Sequence, residues 1–513
     1  MPSGRTAVYV DRSGRRRQRR RRATGGAASP RVGTTPHRQT EASLSACSRD
    51  FFPWYLPSHV SPSPPDADAT DRPPLDRRDV LVCSGALAAS ALAGCTGRSA
   101  SSDGSGGSDD PTDDPSDGSL PDGGPDVDDE RLRRLVDGNA RFALDLHRRV
   151  ADGNTFLSPY SVSVALAMSA AGAAGDTEQA MRETLRHTLG DEVHPAFADL
   201  RSALAERETT RDPRDDEAVD AVTLRVANAL WAAEGYPVAE AFRRTLDRHY
   251  GAGLRRADFA GDPDGERARI NDWVAEQTEE TIAELLPADA ITANTVAVLT
   301  NAIYFLAGWA FEFDPERTVP ATFTALDGST AEVPTMRQEL TTRYTAWDGG
   351  QAVELPYVGQ KVSMVLLVPD RGSFEAFERD LTADRLFGVF EDLGRTQGTV
   401  RLPRFEYRTK AALRPILSEM GMPSAFGADA NFSAMVPEGD GPGIDDVYHE
   451  AYVSVDEEGT EASAATAVVM DGSAAVESFD LTVDRPFLFC VRDRPTDAVL
   501  FLGRVTDAGA AQG

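Results

Sequence analysis

The most informative segment of the 513-residue chain is Val455-Asp-Glu-Glu-Gly-Thr-Glu-Ala-Ser-Ala-Ala-Thr-Ala-Val468. It begins with a strand pattern, reaches Gly459 and then carries small residues at nearly every position. About 17 residues later the chain resumes a clear strand pattern at Asp484-Arg485-Pro486-Phe487-Leu488-Phe489. A loop of this length inside a compact domain is uncommon and is usually functional. We therefore expect this segment to carry the activity of the protein.

The segment after Gly459 also satisfies the requirements of a β-strand. Residues two apart share one face of a strand, and here that face is small: Thr460, Ala462, Ala464 and Thr466. Such side chains can be buried without opening a sheet. The other face, which can meet a covering layer or water, holds Glu461, Ser463 and Ala465. The sequence therefore predicts a segment with two states, one as a loop and one as a strand.

The rest of the sequence predicts an α+β domain. From about Glu130, apolar residues recur at spacings of three and four, which is typical of an amphipathic helix. A second helix is predicted to begin at Ser158-Pro159, and a third to be capped by Asp176. Strand patterns follow at residues 222–231, 296–306, 362–368, 451–455, 480–483, 487–491 and 498–502. A helix-rich first half and a strand-rich second half favour the α+β class.

The charge balance restricts the partners of the chain. Lys and Arg number 53 and Asp and Glu 82, so the net charge is −29. This argues against nucleic acid as a partner, because phosphate backbones need a cationic face. Lys361 and Lys410 are the only lysines. High-GC codon bias also favours Arg over Lys, but the acidic excess is typical of a halophile, where salt screens the repulsion between surface carboxylates.

The sequence offers little material for metal or membrane chemistry. Of the four cysteines, Cys47, Cys83, Cys95 and Cys490, only Cys490 lies in the predicted domain, so no disulfide framework or thiolate metal site is expected. The seven histidines lack metal-ligand spacing, and we expect no metal and no cofactor. The longest apolar stretch, residues 80–94, is too short to cross a bilayer. An integral membrane protein is therefore not expected.

The first 129 residues are predicted to precede the folded domain. Residues 1–70 form a basic low-complexity segment, which we interpret as a mis-called start rather than a nucleic-acid or membrane-surface arm. Residues 71–95 resemble an export signal, with a twin-arginine motif at Arg77-Arg78 and a lipobox ending at Cys95. Residues 96–129, rich in Ser, Gly, Asp and Pro, are predicted to be a disordered acidic tether. These features predict an exported haloarchaeal lipoprotein, either extracellular or held at the outer face of the cell membrane by a lipid on Cys95.

Several further motifs occur in an order that resembles the serpin (serine protease inhibitor) family across residues 130–507, leaving 508–513 as a tail. The hinge Glu457-Glu458-Gly459-Thr460-Glu461-Ala462 resembles that of inhibitory members. The other matching motifs are residues 154–161 (NTFLSPYS), 300–305 (TNAIYF) with Trp309, 354–357 (ELPY), 402–405 (LPRF), 420–422 (MGM), 484–489 (DRPFLF) and 500–505 (LFLGRV). The resemblance implies a helix-rich first half around a large central β-sheet, with two smaller sheets and an exposed reactive loop.

The same resemblance implies an inhibitor that acts as a suicide substrate, not an enzyme. The target protease forms an acyl-enzyme at the cleaved loop, and the hinge side then inserts into the sheet and distorts the protease. The implied hinge comprises Glu457, Glu458, Gly459, Thr460, Ala462, Ala464 and Thr466, with Gly459 as a pivot that tolerates unusual backbone angles. The family's polar cluster beneath the parting strands matches Ser158, Ser161, Asn301 and His449. Trp309 matches an aromatic residue at the mouth where the loop inserts, although it could also serve only to pack the core. His449 could likewise be an ordinary core histidine whose hydrogen bonds are satisfied.

Three positions remain open for the cleaved bond. The usual spacing of the family, counted from Gly459, implies Ser473-Ala474. The same spacing counted back from Pro486 implies Ala475-Val476, because this loop is two residues longer than the common one. Side-chain size favours Met470-Asp471. A small residue before the bond suits an elastase- or subtilisin-like serine protease. No Arg or Lys lies between Gly459 and Asp484, which argues against a trypsin-like target. The inhibitor itself is expected to be a monomer.

Three other functions are less consistent with the sequence. A non-inhibitory serpin, acting as a chaperone, carrier or storage form, would have bulky or charged residues at the buried hinge positions, which this sequence lacks. A solute-binding lipoprotein would have two α/β lobes, against which the strand-rich second half argues. A hydrolase would need a nucleophile, base and orienting group, and Ser158 and Ser161 lie at a predicted helix start without a Gly-x-Ser-x-Gly motif.

Overall fold

The computed structural model describes residues 130–211, 218–251, 254–427, 429–439, 441–460 and 478–512. In these ranges the chain forms nine α-helices and three short 3-10 turns. The helices are α1 (Glu130–Val150), α2 (Pro159–Ala170), α3 (Gly175–Thr184), α4 (Val193–Ala205), α5 (Glu240–His249), α6 (Pro263–Gln277), α7 (Phe374–Asp380), α8 (Ala383–Asp392) and α9 (Arg414–Met420). The predicted signal, tether and basic segment lie outside the described residues.

The same ranges contain 17 strands in three sheets. The strands are β1 (Thr155–Leu157), β2 (Thr209–Arg211), β3 (Ala218–Asp220), β4 (Thr223–Ala233), β5 (Arg255–Ala257), β6 (Ala297–Gly308), β7 (Val319–Thr324), β8 (Thr330–Trp347), β9 (Gly350–Pro356), β10 (Val362–Pro369), β11 (Gly394–Pro403), β12 (Phe405–Ala412), β13 (Val447–Val455), β14 (Gly459–Thr460), β15 (Ser478–Thr482), β16 (Phe487–Asp493) and β17 (Ala498–Val505).

The largest sheet has nine strands in the order β1-β17-β16-β10-β9-β8-β11-β15, with β7 paired to β8. A six-stranded sheet follows the order β12-β13-β14-β6-β4-β5, and β2 and β3 form a separate hairpin. The predicted α+β architecture, with one large sheet and two smaller ones, is confirmed. Each of the seven strand patterns read from the sequence corresponds to a strand in the structure.

The helix starts show where local sequence rules hold and where they fail. Ser158 caps α2 as predicted, because its hydroxyl accepts a hydrogen bond from the Ser161 amide at 3.2 Å and Pro159 occupies the first turn. The prediction that Asp176 caps the next helix is wrong. Helix α3 begins at Gly175 after Ala174, without a side-chain cap, and Asp176 lies inside its first turn. A carboxylate there is still favourable beside the positive end of the helix dipole.

The six-stranded sheet is covered on both faces. From β6, Leu299 and Ile303 join the main hydrophobic core, which includes Val162 and Leu166 of α2. The intervening Ala302 packs instead in a second cluster that includes residues of α6. Because both faces are buried, the strands read as nearly continuous apolar runs rather than as strict alternation. Polar residues within these runs therefore need partners inside the protein.

The described part of the chain contains no helix long and apolar enough to span a membrane. Within the same ranges, no group of three or more His, Cys, Asp and Glu side chains is placed to hold a metal ion. Cys490 is a buried free thiol. The residues predicted as a tail include Ala508 and Ala511, both fully buried.

Candidate functional site

The hinge begins as a strand inside the six-stranded sheet. Strand β14 lies between β13 and β6 and runs antiparallel to both, with Thr460 opposite Val455 on one side and Ala307 on the other. Further along, β13 and β6 pair directly and in parallel, from Val447–Leu299 to Ala451–Ile303. The two strands are thus parted at one end by two hinge residues and joined at the other.

The structure gives a steric reason for glycine at position 459. A Cβ atom there would lie 2.3 Å from the Ala307 carbonyl oxygen and 2.7 Å from the Gly308 Cα. The φ angle of Gly459 is outside the left-handed region, so the backbone tolerance expected from the sequence is not what this conformation needs. Glycine is required because β14 approaches β6 closely.

The side chain of Thr460 points into the main core. It is 2% exposed, and its hydroxyl lies 2.8 Å from the Tyr357 hydroxyl. The Tyr357 ring stacks on Trp309, with centroids 4.7 Å apart. Since residues two apart share a face, the orientation of Thr460 sets the core-facing side of any strand that continues beyond it.

Trp309 holds the turn that leads into the hinge. Its indole Nε1 donates to the Asp456 carbonyl at 3.0 Å, and its backbone amide donates to the Glu458 carbonyl at 2.9 Å. The Asp456 carboxylate accepts hydrogen bonds from the amides of Glu458 and Gly459. Trp309 is fully buried, so it packs in the core and also fixes the backbone at the mouth of the parted strands.

Glu457 forms the polar anchor of the same turn. Its buried carboxylate accepts from Arg404 Nη2 at 2.6 Å and Nε at 2.9 Å, and from the Thr318 hydroxyl. Burial acts to raise the pKa of Glu457, but these hydrogen bonds outweigh burial and lower it. No local pattern links Arg404 or Thr318 to Glu457, since both lie far from it along the chain.

We expect Glu457→Gln to destabilise the protein by about 1–3 kcal/mol at pH 7, because it removes charge-assisted hydrogen bonds. The lowered pKa means that the carboxylate's contribution is full above the ordinary glutamate range and is lost as the pH falls through the folded-state value. Urea unfolding of both proteins at several pH values measures the difference. Glu458→Gln, at an exposed neighbouring position, is the matched control. A gap between wild type and Glu457→Gln that persists unchanged in acid would contradict the assignment.

A row of polar side chains crosses the joined end of the sheet. His449 of β13 lies opposite Asn301 of β6, which lies opposite Asn228 of β4. The first residues of α2 pack against this row: the Asn301 amide nitrogen donates to the Ser161 hydroxyl and to Asn228 Oδ1, both at 2.6 Å. The predicted cluster residues Ser158, Ser161, Asn301 and His449 therefore lie together, on both sides of the β6–β13 junction.

His449 uses both ring nitrogens in this cluster. Nε2 accepts from the Ser158 amide at 3.2 Å, so the proton lies on Nδ1, which donates to Asn301 Oδ1 at 2.5 Å. Burial lowers the pKa of His449 to about 4, although the hydrogen bond with Asn301 opposes the shift. The Ser158 hydroxyl donates to the Leu500 carbonyl at 2.8 Å rather than to the imidazole. The cluster thus holds strands together and does not pair a serine hydroxyl with a base.

We expect the stability of the protein to fall between pH 6.5 and about 4, in part because of His449. Its folded-state pKa of about 4 lies below the ordinary value of 6.5, so the unfolded chain binds the proton first and gains stability as the pH falls. This difference corresponds to about 3 kcal/mol. Urea unfolding of wild type and His449→Gln across this range isolates the contribution, because His187 and His194, whose pKa values burial also lowers, remain in both proteins. Parallel curves would contradict it.

Asn228 belongs to the cluster but was missed in the sequence. Its Oδ1 accepts from the Ser161 hydroxyl at 3.2 Å, and its Nδ2 donates to the Ser161 carbonyl at 3.0 Å. An amide in the middle of an apolar strand run was the available signal, because a buried amide needs partners. The other predicted site residues lie outside the described part of the chain: Arg77, Arg78, Cys95, Ala462, Ala464, Thr466, Met470, Asp471, Ser473, Ala474, Ala475 and Val476.

The fold and the site define a class of proteins in which a hinge enters a sheet between two parted strands. Comparisons with known proteins agree with this class. A sequence profile of the serpin (serine protease inhibitor) family matches residues 137–508. Human antithrombin-III is 33% identical over 398 residues, covering 75% of this chain and 84% of that protein. The leukocyte elastase inhibitor of Sus scrofa is 33% identical over 388 residues, covering 73% and 100%. The chain belongs to the serpin family.

Archaeal and structural relatives extend the comparison. A serpin-like protein of Thermococcus kodakarensis is 34% identical over 376 residues, covering 72% of this chain and 85% of that one. The native structure of tengpin, a thermophilic serpin, is similar with a TM-score of 0.64 and 25% identity, covering 74% and 95%. Human thyroxine-binding globulin in complex with thyroxine gives a TM-score of 0.64 and 26% identity, covering 74% of this chain and 99% of that one.

Proposed function

We propose that the chain inhibits serine endopeptidases as a suicide substrate, by inserting its cleaved loop into the six-stranded sheet. One observation carries this proposal. The hinge residues Gly459 and Thr460 are already paired with β13 and β6, antiparallel to both. Once the loop is cut further along, the residues that follow Thr460 can extend β14 in the same direction without reorienting.

The existing register predicts where each inserted residue would lie. Thr460 is opposite Ala307 and Val455, so Ala464 would reach the level of Ile303 and Ala451, and Thr466 that of Asn301 and His449. Ala462, Ala464 and Thr466 would face the core on the same side as Thr460. Their small size suits this face. Insertion would replace the direct β6–β13 pairing and separate His449 from Asn301, whose hydrogen bond therefore opposes premature insertion.

Insertion would be driven by two gains. The inserted strand forms ladder hydrogen bonds with neighbours on both sides, and its small side chains bury apolar area. These gains are unavailable while the loop is tethered at both ends. A protease joined to the loop as an acyl-enzyme would be carried along with the strand and distorted before it can hydrolyse the ester. Loop insertion after proteolysis would in this way release strain that the intact protein stores.

Features of the sequence support a choice of target protease and of location. A bond at Ser473-Ala474, Ala475-Val476 or Met470-Asp471 presents no cationic side chain, which favours elastase- or subtilisin-like enzymes. The export motifs and the acidic composition favour a monomeric lipoprotein on the outer face of a halophile's membrane. Its target would then be an extracellular protease active in high salt.

The direct test incubates the purified chain with a subtilisin-like and an elastase-like protease in molar salt. We expect an SDS-resistant complex of inhibitor and active protease, and none with protease inactivated beforehand at its serine. Mass spectrometry of the released carboxyl-terminal peptide identifies the bond by a first residue of Asp471, Ala474 or Val476. Complete cleavage without any complex would instead favour a non-inhibitory chaperone or carrier serpin.

A further inference from the structure

A cavity of about 340 Å³ lies beside β4 and β5, at the opposite edge of the six-stranded sheet from β12. Its walls come from α2, α4, β4 and the end of α6, and its apolar lining includes Met168, Leu204, Val226 and Trp273. The volume lies within the range of small-molecule sites, which are mainly apolar with a few polar groups that orient the ligand. The cavity contains none of the hinge residues.

One hydroxyl at this cavity has no protein partner among the described residues. Tyr160 is 4% exposed and lines the cavity, yet its hydroxyl forms no hydrogen bond with any of the protein groups that the structure describes. Burial raises the pKa of Tyr160 well above its ordinary value, with the charge of Arg201 acting in the opposite direction. The hydroxyl is therefore a donor at neutral pH, and at the wall of the cavity it is available to a ligand.

Two cationic groups line the same cavity, Arg201 and Arg255. Neither has a carboxylate within 4 Å among the described residues, although the chain has 82 acidic residues. Arg255 stacks over the Trp273 ring at 4.4 Å, and Arg201 packs so closely on Gly251 that a Cβ there would be 2.5 Å from Nη1.

The acidic residue lining the cavity is already neutralised. Glu208 contacts Arg225, with the charged atoms 3.4 Å apart. Glu208 is therefore paired with Arg225 and not with Arg201 or Arg255. The cavity combines apolar walls with two available guanidinium groups and a hydroxyl donor, and this set is complementary to an anion attached to a hydrocarbon or aromatic body.

We propose that this cavity binds a small amphipathic carboxylate. The carboxylate accepts hydrogen bonds from Arg201, Arg255 and the Tyr160 hydroxyl, and the apolar body of the ligand contacts Leu204, Met168 and the Trp273 ring. Each donor is fixed by its surroundings: Arg255 by the tryptophan stack, Arg201 by Gly251 and Tyr160 by burial in α2. The site does not depend on protease inhibition.

Isothermal titration calorimetry of the full chain with 4-phenylbutyrate tests the proposal, with neutral 4-phenylbutyramide as the matched probe. We expect saturable one-to-one binding of the acid and at least tenfold weaker binding of the amide, because charge-assisted hydrogen bonds are lost. Tyr160→Phe, Arg201→Gln and Arg255→Gln should each weaken acid binding about fivefold or more. Arg395→Gln, at an exposed position on β11, should not.

The outcomes separate the proposal from simple hydrophobic uptake. Equal affinity for acid and amide, or unchanged binding in Arg201→Gln and Arg255→Gln, would overturn the carboxylate site. Absence of heat up to about 1 mM acid, where even a weak specific site is occupied, would overturn it as well. Tyr160→Phe keeps the ring and removes only the hydroxyl, so thermal unfolding at the wild-type temperature verifies that the variant is folded.

Discussion

Thr460→Arg is expected to abolish the SDS-resistant complex with protease while leaving cleavage of the loop intact. Thr460 is 2% exposed and its hydroxyl contacts Tyr357 inside the main core. A guanidinium at this position would lose its hydration without gaining a carboxylate partner, at a cost of several kcal/mol. The variant would therefore keep its hinge outside the sheet. Insertion would become slower than hydrolysis of the acyl-enzyme, and the inhibitor would become a substrate.

The matched control for this experiment is Glu458→Arg. It introduces the same side chain two residues earlier, at an exposed position in the turn, so it changes the charge of the hinge without burying it. We expect this variant to form the complex at close to the wild-type yield. Thr460→Val, which keeps the branched shape and loses only the hydroxyl, should also form it. Equal yields of the complex from Thr460→Arg and Glu458→Arg on denaturing gels would contradict the insertion mechanism.

Local patterns in the sequence were sufficient to predict seven of the 17 strands in the described residues and the core-facing side of Thr460. The period of two places Thr460 on the face that needs small side chains, and the structure directs it toward Tyr357 in the core. Ser158 and Pro159 similarly predict the start of α2, because a side-chain cap and a proline act within one helical turn. Both features depend on interactions between residues close together in the sequence.

Contacts between distant segments were not predictable in this way. The anchor of Glu457 on Arg404 joins residues 53 positions apart, and neither motif indicates the other. The need for glycine at 459 arises from the carbonyl of Ala307 on a different strand. Asn228 belongs to the polar cluster because the register between β4 and β6 places it opposite Asn301. These features depend on which strands become neighbours, and strand order is a property of the whole fold.

Cleavage of the loop is expected to raise the unfolding temperature of the protein by about 10 °C or more. Each new ladder hydrogen bond contributes about 1 kcal/mol, and the buried small side chains add about 25 cal/mol per Å². A dozen residues entering between β13 and β6 would therefore stabilise the sheet by on the order of 10 kcal/mol. In a domain of this size each kcal/mol corresponds to about 1–2 °C. Calorimetry of intact and nicked protein in the same buffer measures the shift.

The nicked form of Thr460→Arg separates the effect of insertion from that of cleavage alone. Both nicked proteins have the same broken bond and the same new termini, but only the wild-type hinge can enter the sheet. We expect nicked Thr460→Arg to unfold within a few degrees of its intact form, while nicked wild type shows the full increase. If both nicked proteins gain the same stability, the gain arises outside the sheet. If neither gains, the loop stores no free energy, and a protease would simply be released after cutting it.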